Sequence, residues 1–180
     1  MKPVSLSEYK MKYPPTEHQE QTALFQWFDL QVRSGRNPWL AAAFAIPNGA
    51  RTSMSTAKKL KAEGMKGGVP DILIPIGRRG YVGLALEMKR TKGGKVSKRQ
   101  DWWAGVLQSQ AWITFAPAGW EVARDLTNWD FGLGEWPWGK YGGRDADILG
   151  LNEPHAGPHV SGECRDQPLK PNWPRFPDAD

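Results

Sequence analysis

Asp71, Glu87 and Lys89 are the residues whose types and spacing in this sequence suit chemistry. Asp71 opens a short apolar run, Asp71-Ile72-Leu73-Ile74-Pro75-Ile76, behind Gly67-Gly68-Val69-Pro70. Glu87 and Lys89 close a second run, Tyr81 to Lys89. Alternate residues on a strand share a face. Val82, Leu84, Leu86 and Met88 therefore form one apolar face, and Tyr81, Gly83, Ala85, Glu87 and Lys89 the other. Gly77-Arg78-Arg79-Gly80 reads as the turn between the two strands. A three-residue loop, Arg78-Arg79-Gly80, with Gly80 left-handed, pairs Gly77 with Tyr81, Leu73 with Ala85 and Asp71 with Glu87. A two- or four-residue loop would turn Asp71 to the Leu86 side. One slip flips every side chain, so burial of Ile72, Ile74, Ile76, Val82, Leu84 and Leu86 on one face selects the odd loop.

That register brings two carboxylates together. At ~5 Å and an effective dielectric near ~20 their repulsion costs roughly 3 kcal/mol, and left alone one of them binds a proton. A hard divalent cation such as Mg²⁺ or Mn²⁺ removes the conflict, with water and a substrate phosphate completing its shell. Lys89 adds a positive charge on the same face, placed to hold an attacking water or to neutralise charge on a phosphoryl oxygen. Acid, acid and lysine suit in-line attack on a phosphodiester. Taken singly, a Glu-x-Lys on a strand is an exposed ion pair worth little. The conjunction of glycines, Pro-Asp, a hairpin and Glu-x-Lys is what carries the reading.

Several elements must position this hairpin. Thr16, with Gln19 three residues on and Glu17 and Glu20 in the first turn, starts a helix from Glu17 to Arg33 whose apolar stripe is Leu24, Phe25, Phe28 and Val32. Leu40 to Ile46 reads as a buried strand, although its alanines also suit a helix. Ser53 to Gly64 fits a short basic helix with a glycine cap. After the loop Thr91 to Lys95, Ser97 caps a helix with Gln100 three residues on, carrying Trp103, Val106 and Leu107. Trp112 to Ala116 is a further strand, and Gly119 to Trp129 a last helix through Val122, Ala123 and Leu126. The order is helix, strand, helix, hairpin, helix, strand, helix: an α/β domain with a mixed sheet.

Composition narrows the function classes. The 180 residues carry 39% hydrophobic and 24% charged side chains, enough for one globular core. The longest apolar run, Trp39 to Ile46, is far short of the ~18 residues of a membrane span. Cys164 is the single cysteine, which excludes an internal disulfide and a Cys-only zinc cluster. Residues up to Trp129 hold 19 Lys and Arg against 10 Asp and Glu, a balance of +9; from Asp130 on there are 5 against 9, a balance of −4. A basic body with an acidic tail fits a polyanionic partner or a basic surface that serves solubility. Fifteen of the 51 residues from Asp130 to Asp180 are Gly or Pro, and tryptophans (Trp136, Trp138, Trp173) are scattered among them. The expected layout is an arm over 1–15, a folded α/β domain over 16–129 and an irregular acidic tail over 130–180.

Gly68-Val69-Pro70-Asp71-Ile72, followed after a hairpin by Leu86-Glu87-Met88-Lys89, resembles the PD-(D/E)XK nuclease signature. The first helix with Glu17 and Gln21, and Ser97-x-x-Gln100 with Trp103 after the Glu-x-Lys strand, resemble the VRR-NUC branch in particular. So does the closing strand and helix from Ala116 to Leu126. The resemblance implies a mixed β-sheet flanked by helices and a Mg²⁺- or Mn²⁺-dependent endodeoxyribonuclease. Asp71 and Glu87 would be metal ligands and Lys89 would position or activate water. The products would be a 3′-hydroxyl and a 5′-phosphate. A first-helix glutamate, Glu17 or Glu20, would complete the metal site; both also suit the helix dipole as first-turn acids. Gln100 would face the site, a role that stands beside capping the Ser97 helix. Small stand-alone members are similar to Holliday junction resolvases and pair as homodimers, which implies branched or structured DNA as partner, no membrane, and the cytoplasm of a bacterial or phage-infected cell.

The basic residues fit that picture. Lys58, Lys59, Lys61, Lys66, Arg90, Lys92, Lys95, Lys98 and Arg99 bracket the proposed site and are candidates for phosphate contacts, with Asn48 and Arg51 in a turn near the substrate. Trp102 is a candidate for stacking on a base or for partial burial. No segment reads as a base-reading helix, so recognition should follow backbone and shape. His155, His159 and Cys164 have a loosely zinc-like spacing. The alternative from another class is a non-catalytic nucleic-acid-binding module with a nuclease-like fold. Three mutually costly charges would have no reason to persist together in such a module.

Overall fold

The computed structural model describes residues 14–47, 53–135 and 137. Asn48, Arg51, residues 1–13 of the arm, the His155/His159/Cys164 set and all but the start of the tail lie outside them.

Helix α1 (Glu17–Arg33) begins as its local chemistry dictates. The Thr16 side chain accepts from the Gln19 amide at 3.2 Å, and Gln19 Oε1 accepts from the Thr16 amide at 2.9 Å. Glu20, Leu24, Phe28 and Gln31 form its buried stripe. The expected strand over Leu40–Ile46 is instead a 3₁₀ helix, Pro38–Ala42, followed by a two-residue strand β1 (Phe44–Ala45). Pro38 opens the 3₁₀ helix, where its missing N–H costs nothing. Leu40 alone of the five helical residues is buried, so the apolar run was a poor guide to burial. Helix α2 (Met54–Ala62) follows, capped by Ser53 and burying none of its residues.

β2 (Ile72–Ile74) and β3 (Gly83–Leu86) form the hairpin, with Ile72 opposite Leu86, Leu73 opposite Ala85 and Ile74 opposite Leu84. This is the expected register, reached by an unexpected route. The turn holds two residues, Arg79 and Gly80, between Arg78 and Tyr81, which exchange both backbone bonds. Positive φ at Arg79 (49°) and Gly80 (82°) makes it a type I′ turn. The one-residue difference is absorbed by a bulge at Pro75–Gly77: Pro75 has no N–H for the ladder, and the Ile76 amide folds back onto Ile74 O at 2.9 Å. Val82, expected on the buried face, lies in this irregular stretch and is 42% exposed.

Helix α3 (Lys98–Ser109) crosses over to β4 (Trp112–Phe115), parallel to β3, and α4 (Trp120–Asp130) closes the fold. The sheet order is β1-β2-β3-β4. One sheet face (Ile72, Ile74, Leu84, Leu86, Met88, Ile113, Phe115) forms the core with Leu24 and Phe28 of α1 and Val122 and Leu126 of α4. The other face, with Ala85 and Thr114, lies under α3, where Gln108 Nε2 donates to Thr114 Oγ1 at 2.8 Å. Arg79 ties the hairpin turn to α4: its Nε donates to Trp129 O at 2.9 Å and its guanidinium lies 4.4 Å over the Trp129 ring.

Candidate active site

Beyond Leu86 the β3 backbone stays paired. Glu87 N donates to Phe115 O, Lys89 N to Pro117 O, and Gly119 N returns to Lys89 O, each at 2.9–3.0 Å. The chain therefore remains extended through Glu87 and Lys89. Met88 is buried on the core side, while Glu87 and Lys89 turn to the other face. Across the hairpin, Asp71 Oδ2 accepts from the Met88 amide at 2.8 Å, which fixes its carboxyl against the Glu-x-Lys segment. The Asp71 backbone carbonyl accepts from Ile46 N at 2.7 Å, so the first acid is tied on both sides.

Four side chains meet here. Lys89 Nζ donates to Glu87 Oε1 at 3.0 Å and to Gln100 Oε1 at 3.2 Å, and Gln100 Nε2 donates to Glu87 Oε1. Gln100 also caps its own helix, with the Ser97 amide donating to Gln100 Oε1 at 2.8 Å. The two roles expected as alternatives for Gln100 are thus filled by one side chain, whose Oε1 takes both the cap amide and the lysine.

The electrostatics are those of two acids held too close and too dry. Burial pushes Asp71 up, partly offset by the Met88 amide and the Lys89 charge. Burial and the Asp71 charge push Glu87 up to about 8, against the pull of Lys89. A hydrogen bond between the carboxyls lowers Asp71 and raises Glu87, so the shared proton rests on Glu87. A hard cation is the natural replacement for that proton, and the carboxylate pair fits Mg²⁺ or Mn²⁺. Among the described residues no three His, Cys, Asp or Glu side chains gather to hold one ion, so the donor set assembled here is Asp71 and Glu87.

The first-helix acids part company. Glu17 is exposed, and its charge reaches Asp71 and raises it. Glu20 is 2% exposed, and its Oε2 accepts from the Trp120 amide at 2.9 Å. Lys58, Lys59, Lys61, Lys66, Arg90, Lys92, Lys95 and Lys98 are all exposed, and Arg99 is half-buried. Gly68 takes positive φ (82°) against Arg99, whose Cβ would lie 2.6 Å from an added methyl. Trp102 is half-buried, with its ring edge-on to Trp103 at 5.1 Å.

A cleft of about 800 Å³ opens beside Glu87 and Gln100 and runs beneath α3. Sequence reasoning did not find it, because its walls come from three separated segments. The nearest signal was Gly105, a glycine inside a helix that nothing in the sequence explains.

No family model matches the chain, and no curated protein sequence matches it. Among solved structures it is similar to a VRR_NUC domain protein, with a TM-score of 0.57 and 26% sequence identity over 67% of this chain and 92% of that one. The resemblance to the VRR-NUC family is therefore matched at the level of the fold, and the mixed sheet with its flanking helices is a VRR-NUC-like, nuclease-type domain.

Proposed function

We propose that this chain is a divalent-metal-dependent DNA endonuclease of the PD-(D/E)XK type. It would hydrolyse phosphodiester bonds in branched or structured DNA in the manner of a Holliday junction resolvase, as a homodimer whose two sites cut two strands. The observation that carries the reading is the convergence of Asp71, Glu87, Lys89 and Gln100 on one sheet face, with Glu87 raised to about 8. The solved VRR_NUC domain protein supports it.

Asp71 and Glu87 would hold Mg²⁺ or Mn²⁺, which supplies charge stabilisation at the phosphoryl group and lowers the pKa of bound water. The remaining work falls to the protein. Lys89 spends two of its three ammonium hydrogens on Glu87 and Gln100 and would offer the third to the attacking water or a phosphoryl oxygen. Gln100 fixes Lys89 and Glu87 to one end of α3, so that neither side chain swings. In the hydrolysis the water oxygen bonds to phosphorus, the bond from phosphorus to O3′ breaks, and O3′ leaves with a proton as a 3′-hydroxyl. The 5′-phosphate stays on the other product.

The test is incubation of the purified protein with a four-way junction, a flap and a linear duplex in Mg²⁺, Mn²⁺ or EDTA. Cleavage of the junction that requires the metal is expected. Undiminished cleavage by Glu87→Ala or Lys89→Ala would overturn the site, and binding without cutting in any metal would favour a non-catalytic module.

A further inference from the structure

We infer that the cleft beneath α3 is a binding site for one unstacked nucleobase of the substrate strand, next to the scissile phosphate. The inference rests on the nuclease reading above and names the feature of DNA that its active site selects: an unpaired nucleotide.

The cleft begins at Glu87 and Gln100 and continues between the sheet and α3. Its floor is Ala85, Thr114 and Ala116, and its roof is Ala104, Gly105 and Gln108 of α3. Its volume of about 800 Å³ falls in the range of small-molecule sites. A base could enter only after leaving its stack, since a duplex is far too wide for a slot between a helix and a sheet.

A further observation indicates that the space can be filled. Gly105, in the interior of α3, has nothing within 4 Å of where a Cβ would stand. Glycine in a helix interior costs stability relative to alanine, and here no neighbour in the fold requires it. The open space beside Gly105, at the edge of the cleft, leaves room for a ligand.

The chemistry of the walls suits a base. The half-buried Ala104 and Ala116 offer apolar contact to a planar ring. Gln108 presents a side-chain amide, the group that pairs with a base edge, from its hydrogen bond to Thr114 Oγ1. Lys95, on the glycine loop at the rim, supplies a cation for the flanking phosphate. Because Glu87 lines the same cleft, a base bound there would place its deoxyribose-phosphate next to the reacting bond.

The experiment uses DNA with a single unpaired 2-aminopurine at the junction, bound to the full-length protein in Ca²⁺, together with cleavage of the same DNA in Mg²⁺. 2-Aminopurine brightens when it leaves the stack for an apolar slot. We expect the wild type to brighten it, and Gly105→Leu to abolish the signal and weaken affinity for this DNA roughly tenfold. Gly105→Leu should melt no lower than the wild type, because leucine favours helix more than glycine does; Gln108→Ala gives a second, milder loss. Cleavage without brightening, or equal brightening in Gly105→Leu, overturns the base site and leaves the nuclease reading intact. Brightening that Gly105→Leu removes, in a protein that cuts no DNA, upholds the base site and sinks the nuclease. Failure to bind the DNA at all overturns both.

Discussion

Glu20 Oε2, on the first helix, accepts a hydrogen bond at 2.9 Å from the backbone N–H of Trp120, one hundred residues on. Trp120 opens α4, whose N-cap Gly119 has no side chain to offer, so the buried carboxylate of Glu20 does the capping from another helix. Gly119 N in turn donates to Lys89 O, so the same junction anchors the end of the Glu-x-Lys segment. Glu20→Ala should therefore destabilise the protein by about 1–3 kcal/mol, since it strands a helix-end amide. Glu20→Gln, which keeps an acceptor, should lose less. Urea unfolding with both variants measures this; equal stability of Glu20→Ala and wild type would refute the capping role.

The raised Glu87 makes metal binding and stability depend on pH in opposite senses. In the metal-free protein Glu87 holds its proton up to about 8, while in the unfolded chain it loses it near 4.5. The folded state thus binds more protons across that window. Its stability is fully present below 4.5 and falls as pH rises through about 8. A divalent cation competes with the same proton, so its affinity should climb about tenfold per pH unit below that point. Melting in EDTA and calorimetric titration with Mn²⁺, from pH 5 to 9, test both trends. Glu87→Gln should flatten the melting profile; a wild-type profile already flat would show that Glu87 ionises normally.

How much of this was legible in the sequence depended on distance along the chain. The capping boxes at Thr16/Gln19 and Ser97/Gln100 are local, and both are in place. The β2–β3 register was narrowed by burial, because a one-residue slip would put Ile72 and Ile74 on the opposite face from Leu84 and Leu86. The turn between those strands did not follow: the missing N–H of Pro75 creates a bulge that lets a two-residue turn serve the same register. Leu40 to Ile46 misled because alanine fits either element, and its exposed Ala41 and Ala42 show that the run is not core. Glu20 looked like a possible metal ligand, since nothing near it in sequence names Trp120 as its partner.

Lys89 and Gln100 should separate by magnitude. Lys89 is 6% exposed and in the proposed mechanism contacts the reacting group, so Lys89→Ala should lower the rate of junction cleavage by about 10²–10³-fold. Gln100 acts through Lys89 and Glu87, and Gln100→Ala should cost about 10–100-fold. Single-turnover cleavage, with DNA affinity measured in parallel, distinguishes loss of rate from loss of binding. A larger loss in Gln100→Ala than in Lys89→Ala would reverse the assigned roles.

Gly68 links the Pro-Asp loop to the helix that carries Gln100. An added methyl would stand 2.6 Å from Arg99 Cβ and 2.9 Å from its carbonyl carbon, neither of which can swing away, and φ is +82°. Gly68→Ala should cost about 2–4 kcal/mol through strain and overlap. The shift would also draw Asp71 away from Gln100, so the surviving folded fraction should cleave more slowly. Gly93→Ala, with positive φ but open space around it, should cost less. Similar losses in the two variants would mean that backbone strain alone, and not the contact with Arg99, sets the cost.

The basic helix α2 offers the sharpest test of how DNA is held. It buries none of its residues and carries Lys58, Lys59 and Lys61 on the surface, so removing them should leave the fold unchanged. The ion pair of Lys59 with the C-cap residue Glu63, at 3.9 Å, is exposed and contributes little. If these lysines meet phosphates, each should account for a slope of about 0.9 in the logarithm of affinity against the logarithm of salt. Replacing all three by alanine should then weaken binding equally for every DNA sequence and flatten the salt slope by up to about 3. Junction binding by anisotropy between low and moderate salt provides the measurement. An unchanged slope would remove α2 from the proposed interface and leave Lys95, which lines the cleft, and the exposed Lys92 and Lys98 near it in sequence to carry the electrostatic attraction.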